Sequence, residues 1–233
     1  MTGNFQLNNN ALSGTVPSEL GQLSLMQKAF LVDSNSLMGS LPTQLGRLTA
    51  MTSSFNVCCN GDLGGPMPSE LGRLTAMTRG FYAFSTAITG SLPSELGQLS
   101  LMTGWLHLCC NSMSGRVPTE LGQLSLMTEQ LLLFKNDFHG ELPSELGQLT
   151  RMTSYFRACC NDFTGGIPSQ LGRLSLMQDT MYLQENYFTG AIPSQLGRLT
   201  GITQNLELHN NRLSGSLPSE LGACVSGSAR AAV

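Results

Sequence analysis

A proline that recurs at an almost fixed interval constrains the fold of this chain more than any other feature. Seven of the eight intervals between these prolines are 25 residues long and one is 26. The series is Pro17, Pro42, Pro68, Pro93, Pro118, Pro143, Pro168, Pro193 and Pro218. A period of this length is typical of short units that stack on one another and share a continuous core. The longer interval has an extra residue between Asn60 and Leu63, where we expect a local bulge.

Each unit repeats the same order of residue types around its proline. In the unit that begins at Met102, apolar Leu106 and Leu108 alternate with other residues, and Asn111 follows them. Alternation with period two predicts a short strand with one face in the core. The Pro-Ser-Glu-Leu-Gly segment then predicts an N-cap, one helical or 3₁₀ turn, and a glycine that ends the turn.

An asparagine follows the predicted strand at the same position in eight of the nine units. A buried asparagine needs partners for its amide and for its carbonyl group, so stacked units predict a ladder of hydrogen bonds between neighbours. The structural ladder consists of Asn10, Asn35, Asn60, Asn111, Asn136, Asn161, Asn186 and Asn211. Thr86 replaces the asparagine in the fourth unit.

These nine copies, with Asn-x-Leu-x-Gly-x-Leu-Pro at their centre, resemble the leucine-rich repeat family, in particular its plant-type class with the L-x-G-x-I-P motif. One extra residue follows the Met-Thr pair, and this variant resembles repeat proteins of unicellular algae. The resemblance implies an α/β repeat solenoid, a right-handed superhelix with a concave parallel β-sheet and short 3₁₀ or helical turns on the convex side. We assign nine repeats to residues 1–222, the first truncated at its start, and a C-terminal tail to residues 223–233.

Both ends of the chain interrupt the repeat. Met1 and Thr2 occupy positions that Met51 and Thr52 hold inside a unit, and we expect the tail after Gly222 to stop before another strand. Because a solenoid needs caps over its terminal cores, we expect either an excerpt of a longer protein or a partner that covers the ends. No targeting segment is recognised. The odd cysteine count and the missing glycosylation sequons favour an intracellular or organellar location, or one peripheral to a membrane complex, over secretion.

The charge of the chain argues against a nucleic-acid partner, and its hydropathy argues against a membrane-spanning helix. Only 12% of the residues are charged, about half the usual share, and 12 Lys and Arg stand against 15 Asp and Glu. Without a basic run the chain has no electrostatic footprint for nucleic acid. No stretch approaches the roughly 20 apolar residues of a membrane helix, so we predict no transmembrane segment, although peripheral association with a larger complex is compatible with the sequence.

Six of the seven cysteines form adjacent pairs in alternate units, just before the ladder asparagine. The pairs are Cys58–Cys59, Cys109–Cys110 and Cys159–Cys160, and the seventh cysteine is Cys224. Two strand spacings separate neighbouring pairs by roughly 10 Å, beyond the ~7 Å reach of a disulfide. Free thiols and a vicinal bridge within a pair are the alternatives. Metal ligands do not converge from other directions, so we predict no metal site and no cofactor.

Outward positions of the predicted strands, two, four and six residues before the ladder asparagine, depart from the repeat in the central units. They carry the only tryptophan, three of the four tyrosines and an arginine. The candidate partner-binding residues are Tyr82, Phe84, Trp105, His107, Leu132, Phe134, Tyr155, Arg157 and Tyr182. An exposed contiguous apolar patch with aromatic and arginine side chains is typical of an interaction site. Neutral drift of unconstrained surface positions is the alternative.

Two columns of hydroxyl residues also follow the repeat. One is Ser24, Thr49, Thr75, Ser100, Ser125, Thr150, Ser175 and Thr200, and the other is Thr2, Thr52, Thr78, Thr103, Thr128, Thr153 and Thr203. Regular hydroxyl arrays could order water, as in ice-binding solenoids. We favour the simpler interpretation that the hydroxyls bond the backbone between units.

The sequence predicts no catalytic site. Cys109 beside His107 is the one nucleophile-like pair, and it lacks an orienting third group and an oxyanion site. We therefore predict a non-catalytic protein–protein interaction scaffold that binds a protein partner through the concave sheet. The alternatives are a peripheral structural subunit of a larger assembly, for example a membrane-associated algal one, and the ligand-sensing ectodomain of a receptor.

Overall fold

A long parallel sheet runs along one side of the protein, with one short strand from each turn of the chain. The structure is a computed structural model that describes residues 2–224 and 230–232. Within those residues the long sheet has ten strands. They are Phe5–Gln6, Phe30–Leu31, Phe55–Asn56, Phe81–Tyr82, Leu106–His107, Leu131–Leu132, Phe156–Arg157, Met181–Tyr182, Asn205–Glu207 and Arg230–Ala232. Sequence order and spatial order coincide, which confirms the predicted repeat solenoid.

The repeat length sets the register of this sheet. Phe30 pairs with Phe55 one unit later, and Phe55 pairs with Phe81 across the longer unit. The first residue of each of the first eight strands points into the core, where Phe30, Phe55 and Phe81 are fully buried. Their rings stack along the solenoid with centroids 5.1–5.4 Å apart. Stacked units thus bury one continuous apolar column.

A second parallel sheet, which the sequence did not predict, lies between the ladder asparagine and the proline of each unit. In the described residues it has seven strands, and a further pair joins Thr189–Gly190 to Arg212–Leu213. The seven strands are Ser13–Thr15, Ser36–Ser40, Asn60–Pro66, Thr86–Ser91, Ser112–Gly115, Asp137–Glu141 and Asp162–Thr164. The extra residue of the third unit produces a register shift between Asn60 and Gly64, which confirms the predicted bulge.

In the first eight units the repeat proline is followed by a 3₁₀ helix, one of the two kinds of turn that the sequence predicts. The helices are Ser18–Gln22, Thr43–Arg47, Ser69–Arg73, Ser94–Gln98, Thr119–Gln123, Ser144–Gln148, Ser169–Arg173 and Ser194–Arg198. Proline itself holds the N-cap position, no side chain makes a capping hydrogen bond there, and the Ser18 hydroxyl donates to the Glu19 carboxylate at 3.2 Å. The glycine lies inside the helix and does not end it. A Cβ at Gly21 would overlap the Gln44 carbonyl of the next unit, so close packing of neighbouring turns requires glycine there.

The asparagine side chains join neighbouring units through the backbone. The Asn60 amide donates to the carbonyls of Val32, Val57 and Cys58 at 3.0–3.2 Å, and its carbonyl oxygen accepts the Leu37 N–H at 3.0 Å. The same bonds recur in the following units through Asn111, Asn136, Asn161, Asn186 and Asn211. In the fourth unit the Thr86 hydroxyl donates to the Asn111 side-chain oxygen at 2.7 Å.

The C-terminal tail continues the repeat. After a short α-helix, Leu221–Cys224, the segment Arg230–Ala232 pairs with Asn205–Glu207 and keeps the 25-residue register between Leu206 and Ala231. The prediction that the tail stops before another strand is therefore wrong. Met1, the other terminal position, lies outside the described residues. Among the described residues no helix has the length and hydropathy that a membrane crossing requires.

Candidate interaction surface

In the first eight strands of the long sheet the second residue points away from the core, as Glu207 does in the ninth, and these positions form the surface that we call the outward face. Strand pairing places Tyr82, His107, Leu132, Arg157 and Tyr182 side by side in one continuous row. The other four predicted residues occupy the neighbouring outward positions, two residues after or before a member of the row; they are Phe84, Trp105, Phe134 and Tyr155. The structure thus brings all nine candidate residues onto one surface.

Side chains of the outward face pack on one another. Tyr82 and Trp105 meet edge to face with centroids 5.7 Å apart, and Phe84 stacks on His107 at 3.9 Å. As a result the face is half-buried by its own side chains, and Leu132, which we expected to be exposed, is only 5% exposed because it lies between His107 and Arg157. The predicted exposed apolar patch is therefore a pre-packed aromatic surface.

Arg157 is the central cation of the outward face. Its guanidinium carbon lies 4.5 Å from the ring centroid of Tyr155 and 4.8 Å from that of Tyr182, so two cation–π contacts hold it in place. The backbone register sets this geometry, because Tyr155 is two residues earlier in the same strand region and Tyr182 is the pairing partner in the next strand. A fixed, stacked guanidinium loses little side-chain entropy when it binds a further acceptor.

Five buried side-chain polar atoms in the described residues have no hydrogen-bond partner, and all five belong to outward positions. They are His107 Nδ1, Arg157 Nε, Thr180 Oγ1, Gln184 Oε1 and His209 Nδ1. Buried polar groups in proteins are almost always paired, so a cluster of unpaired ones requires a specific explanation. Thr180, Gln184 and His209 were not among the predicted site residues. The only sequence signal was that Gln184 and His209 are the polar residues that follow the apolar central run of their column.

The pair of His107 and Cys109 is in contact but is not activated for catalysis. His107 Nε2 lies 3.1 Å from the Cys109 sulfur. Burial, together with the charge of Arg157, lowers the pKa of His107 to about 4, while burial raises the pKa of the Cys109 thiol. A nucleophilic cysteine requires the opposite shifts, which favour the thiolate beside an imidazolium.

The three cysteine pairs are free thiols. Cys58, Cys109 and Cys159 are buried outward residues, whereas their partners are more exposed and hold positive φ angles of 55–58°. Within two pairs the sulfur atoms are close, 3.4 Å between Cys58 and Cys59 and 3.3 Å between Cys109 and Cys110. The described residues contain no group of three or more ligands able to hold a metal ion.

A cleft lies at one edge of the outward face, beside Trp105. Its volume is about 530 Å³, and Arg79 and Glu129 flank it on the units before and after Gly104. A Cβ at Gly104 would overlap the Arg79 carbonyl, so the glycine both allows this close approach and leaves the cleft open. The cleft extends the aromatic surface with a positive and a negative group.

The two hydroxyl columns differ in their bonding. In the threonine column, hydroxyls donate to the backbone carbonyl of the preceding unit, for example Thr103 to Thr78 at 2.9 Å and Thr128 to Thr103 at 3.0 Å. For this column the backbone-bonding interpretation is confirmed. The column that runs from Ser24 to Thr200 is exposed in every unit.

Comparison with known proteins places this architecture in a family. A model described as Leucine Rich Repeat matches residues 203–224. Among solved structures, the LRR ectodomain of the plant membrane receptor kinase GASSHO1/SCHENGEN3 from Arabidopsis thaliana, in complex with CASPARIAN STRIP INTEGRITY FACTOR 2, is 33% identical with a TM-score of 0.87; the match covers 98% of this chain and 26% of that one. The plant peptide hormone receptor RGFR1 in complex with RGF2 is 26% identical with a TM-score of 0.70, over 95% of this chain and 42% of that one.

A bacterial relative shows that the fold is shared more widely. The LRR protein LIC12759 of Leptospira interrogans is 24% identical with a TM-score of 0.74, over 99% of this chain and 54% of that one, and this likeness concerns the fold alone. A search of curated protein sequences gives no match. The chain spans between 26% and 54% of the length of these three structures. The repeat pattern, the stacked parallel sheets and these likenesses together show that the chain is a leucine-rich repeat protein.

Proposed function

We propose that this chain is a non-catalytic scaffold that binds a partner protein through the outward face. The observation that carries the proposal is the set of five unpaired polar atoms, which is confined to the same surface as the aromatic cluster. Each such atom costs about 1–3 kcal/mol when it is buried without a partner. Thr180 is fully buried, but donors and acceptors on a bound protein would remove that cost at His107, Arg157, Gln184 and His209.

The composition of the face fits the same function. Tryptophan, tyrosine and arginine are the residues most enriched among those that dominate binding energy in protein interfaces. Trp105, Tyr82 and Arg157 are already held by neighbouring rings, so binding immobilises few additional side-chain torsions. A pre-ordered surface of this kind retains more of its contact energy as affinity.

The family supports a binding role and adds one specific second candidate. The leucine-rich repeat fold is typical of protein-interaction scaffolds and of receptor ectodomains, and it is generally not enzymatic. Two of the similar structures are plant receptors in complex with a named ligand. The second candidate is therefore a ligand-sensing receptor segment, with the same outward face as the recognition surface. We also propose that the chain belongs to the plant-type class, on its Leu-x-Gly-x-Leu-Pro motif and its 33% identity to an Arabidopsis receptor.

A pair of matched double variants tests the proposed function. Trp105→Ala with Phe134→Ala removes apolar surface from the outward face, and Leu101→Ala with Leu176→Ala removes it from exposed turns, where these leucines are 49% and 55% exposed. The two double variants and the unchanged chain are each used to capture partners from native material by cross-linking. Each captured protein is then purified, and its affinity for the unchanged chain and for both variants is measured directly.

We expect the outward-face variant to bind the purified partner at least about 100-fold more weakly than the unchanged chain, a loss of ~2.7 kcal/mol. The turn variant should bind with unchanged affinity. Equal affinity of the outward-face variant and the unchanged chain, at equal folded fraction in urea unfolding, would refute the proposal.

A further inference from the structure

We propose that the pairs Cys58–Cys59 and Cys109–Cys110 are sites of reversible oxidative modification, at which hydrogen peroxide closes a disulfide between the two adjacent cysteines. This inference goes beyond the proposed function, because it concerns the chain alone and needs no partner. It rests on the placement of the sulfur atoms, on the difference in exposure within each pair, and on the contrast with the third pair.

The sulfur atoms of these two pairs are already in contact. The Cys59 thiol donates to the Cys58 sulfur at 3.4 Å, and the Cys110 thiol donates to the Cys109 sulfur at 3.3 Å. A disulfide has an S–S length of about 2.05 Å, so closure requires a movement of little more than 1 Å. The backbone turns at the second cysteine of each pair, with φ of 56° and 58°, and in this conformation the two thiols meet.

Each pair combines an accessible thiol with a shielded one. Cys59 is exposed and Cys110 is partly exposed, whereas Cys58 and Cys109 are only 4% and 3% exposed. Burial and the neighbouring thiol raise the pKa of Cys58 and of Cys109, so the shielded thiol is a poor first nucleophile. An accessible cysteine next to a second one that can resolve its oxidised form is the arrangement found in redox-sensing sites.

The chemistry balances without any other group. The thiolate of Cys59 attacks one peroxide oxygen, an S–O bond forms as the O–O bond breaks, and hydroxide leaves to become water after protonation. The Cys58 sulfur then attacks the resulting sulfenic acid, so that an S–S bond forms, the S–O bond breaks, and the Cys58 proton leaves with the oxygen as a second water. Two thiols have lost two electrons and two protons, and one peroxide has been reduced to two waters.

Reversibility follows from the spacing of adjacent residues. Consecutive Cα atoms are about 3.8 Å apart, closer than the 4.4–6.8 Å of ordinary disulfides. A bridge between neighbours is therefore strained, and strained disulfides are the ones that thiol reductants open readily.

The third pair provides an internal contrast. The Cys160 thiol donates to a carboxylate oxygen of Glu185 at 3.4 Å. Burial raises the pKa of Cys160, and the hydrogen bond and charge of Glu185 raise it further. Glu185 lies one unit after Cys160. The equivalent residue is Ser85 for Cys59 and Lys135 for Cys110, and neither of these is acidic. We therefore expect Cys159–Cys160 to react most slowly.

Peptide mapping of the reduced full-length chain tests the proposal directly. Trypsin places each pair on its own peptide, 48–73, 80–116 and 158–173, so a single digest reports all three. The chain is treated with hydrogen peroxide, its remaining free thiols are alkylated, and the masses of its tryptic peptides are measured by mass spectrometry. We expect peptides 48–73 and 80–116 to lose about 2 Da and to escape alkylation. The disulfides in these two peptides should form about tenfold faster than the one in peptide 158–173, and dithiothreitol should reverse the change.

Two substitutions separate the steps. Cys58→Ser should leave Cys59 as a sulfenic acid that dimedone traps, and Glu185→Gln should accelerate closure of the third pair about threefold or more. Cys59→Ser alters only an exposed side chain and should leave peptide 48–73 fully alkylated. The proposal is overturned if the unchanged chain shows no 2 Da loss in peptides 48–73 and 80–116, or if those peptides carry only bridges between chains.

Discussion

Two surfaces of this solenoid follow opposite rules, although both are built from the same nine units. On the 3₁₀ side the sequence barely changes from unit to unit, because the turns pack so closely that only glycine fits; a Cβ at Gly97 would overlap the Glu120 carbonyl of the next unit. On the outward face the sequence changes in every unit, and there the unpaired polar atoms collect. Repetition thus marks positions that the fold requires, and variation marks positions that are free to serve binding.

The largest effect should come from breaking the repeated side. Gly97→Ala places a methyl group against backbone rather than against a movable side chain, so the turn must shift, and we expect a loss of about 3 kcal/mol in the free energy of unfolding. Gly61→Ala is the matched control, since its Cβ would meet nothing within 4 Å, and it should cost less than about 1 kcal/mol. Urea unfolding measures both, and equal losses would show that close packing of the turns is not what fixes the glycine.

A smaller effect is expected from the asparagine ladder. Asn60→Ala removes four hydrogen bonds at a fully buried position and leaves backbone groups of two units unpaired, so we expect a loss of about 2 kcal/mol. The same substitution at exposed Asn10, whose amide bonds only to Leu7 and Asn8 of its own unit, should cost less than about 0.5 kcal/mol. Similar losses at the two positions would contradict a ladder that stabilises contacts between units.

The smallest effect concerns the outward face and depends on pH. Because burial lowers the pKa of His107 to about 4 from 6.5, the unfolded chain binds a proton that the folded chain rejects between these pH values. Stability should therefore fall by roughly 1–2 kcal/mol as the pH is lowered from about 7 to 4, after allowance for partial solvent screening.

The contribution of His107 can be isolated by substitution. His107→Gln should remove that part of the pH dependence in urea unfolding between pH 7 and pH 4, while the same change at exposed His139 should leave the curve unaltered. A pH profile of His107→Gln that coincides with that of the unchanged chain would mean that the histidine is not shielded on the outward face.

The sequence predicts what depends on local periodicity. The 25-residue interval fixes the register of the long sheet, and alternation within a unit fixes that Phe81 points inward and Tyr82 outward. The second sheet was missed because a segment such as Ser112–Gly115, with sequence Ser-Met-Ser-Gly, has little strand propensity. It becomes a strand only because the neighbouring units pair with it.

The sequence predicted which residues belong to the outward face but not how their side chains pack on one another. Period two assigned Leu132 correctly to the outward side, yet its burial depends on the size of His107 and Arg157 in the adjacent strands. The unpaired atom of Gln184 likewise depends on three-dimensional neighbours that no single unit contains. Contacts between units therefore require coordinates, whereas positions within a unit do not.

Residue-level footprinting of the partner complex tests the central claim most directly. Hydroxyl radicals oxidise aromatic and aliphatic side chains according to exposure, so free and bound chains can be compared position by position by mass spectrometry. The account predicts that binding protects Tyr82, Trp105, Tyr155 and Tyr182 on the outward face, while exposed Leu101 and Leu176 on the turns react unchanged. Protection of the turns with unchanged reactivity of these four aromatic residues would contradict it.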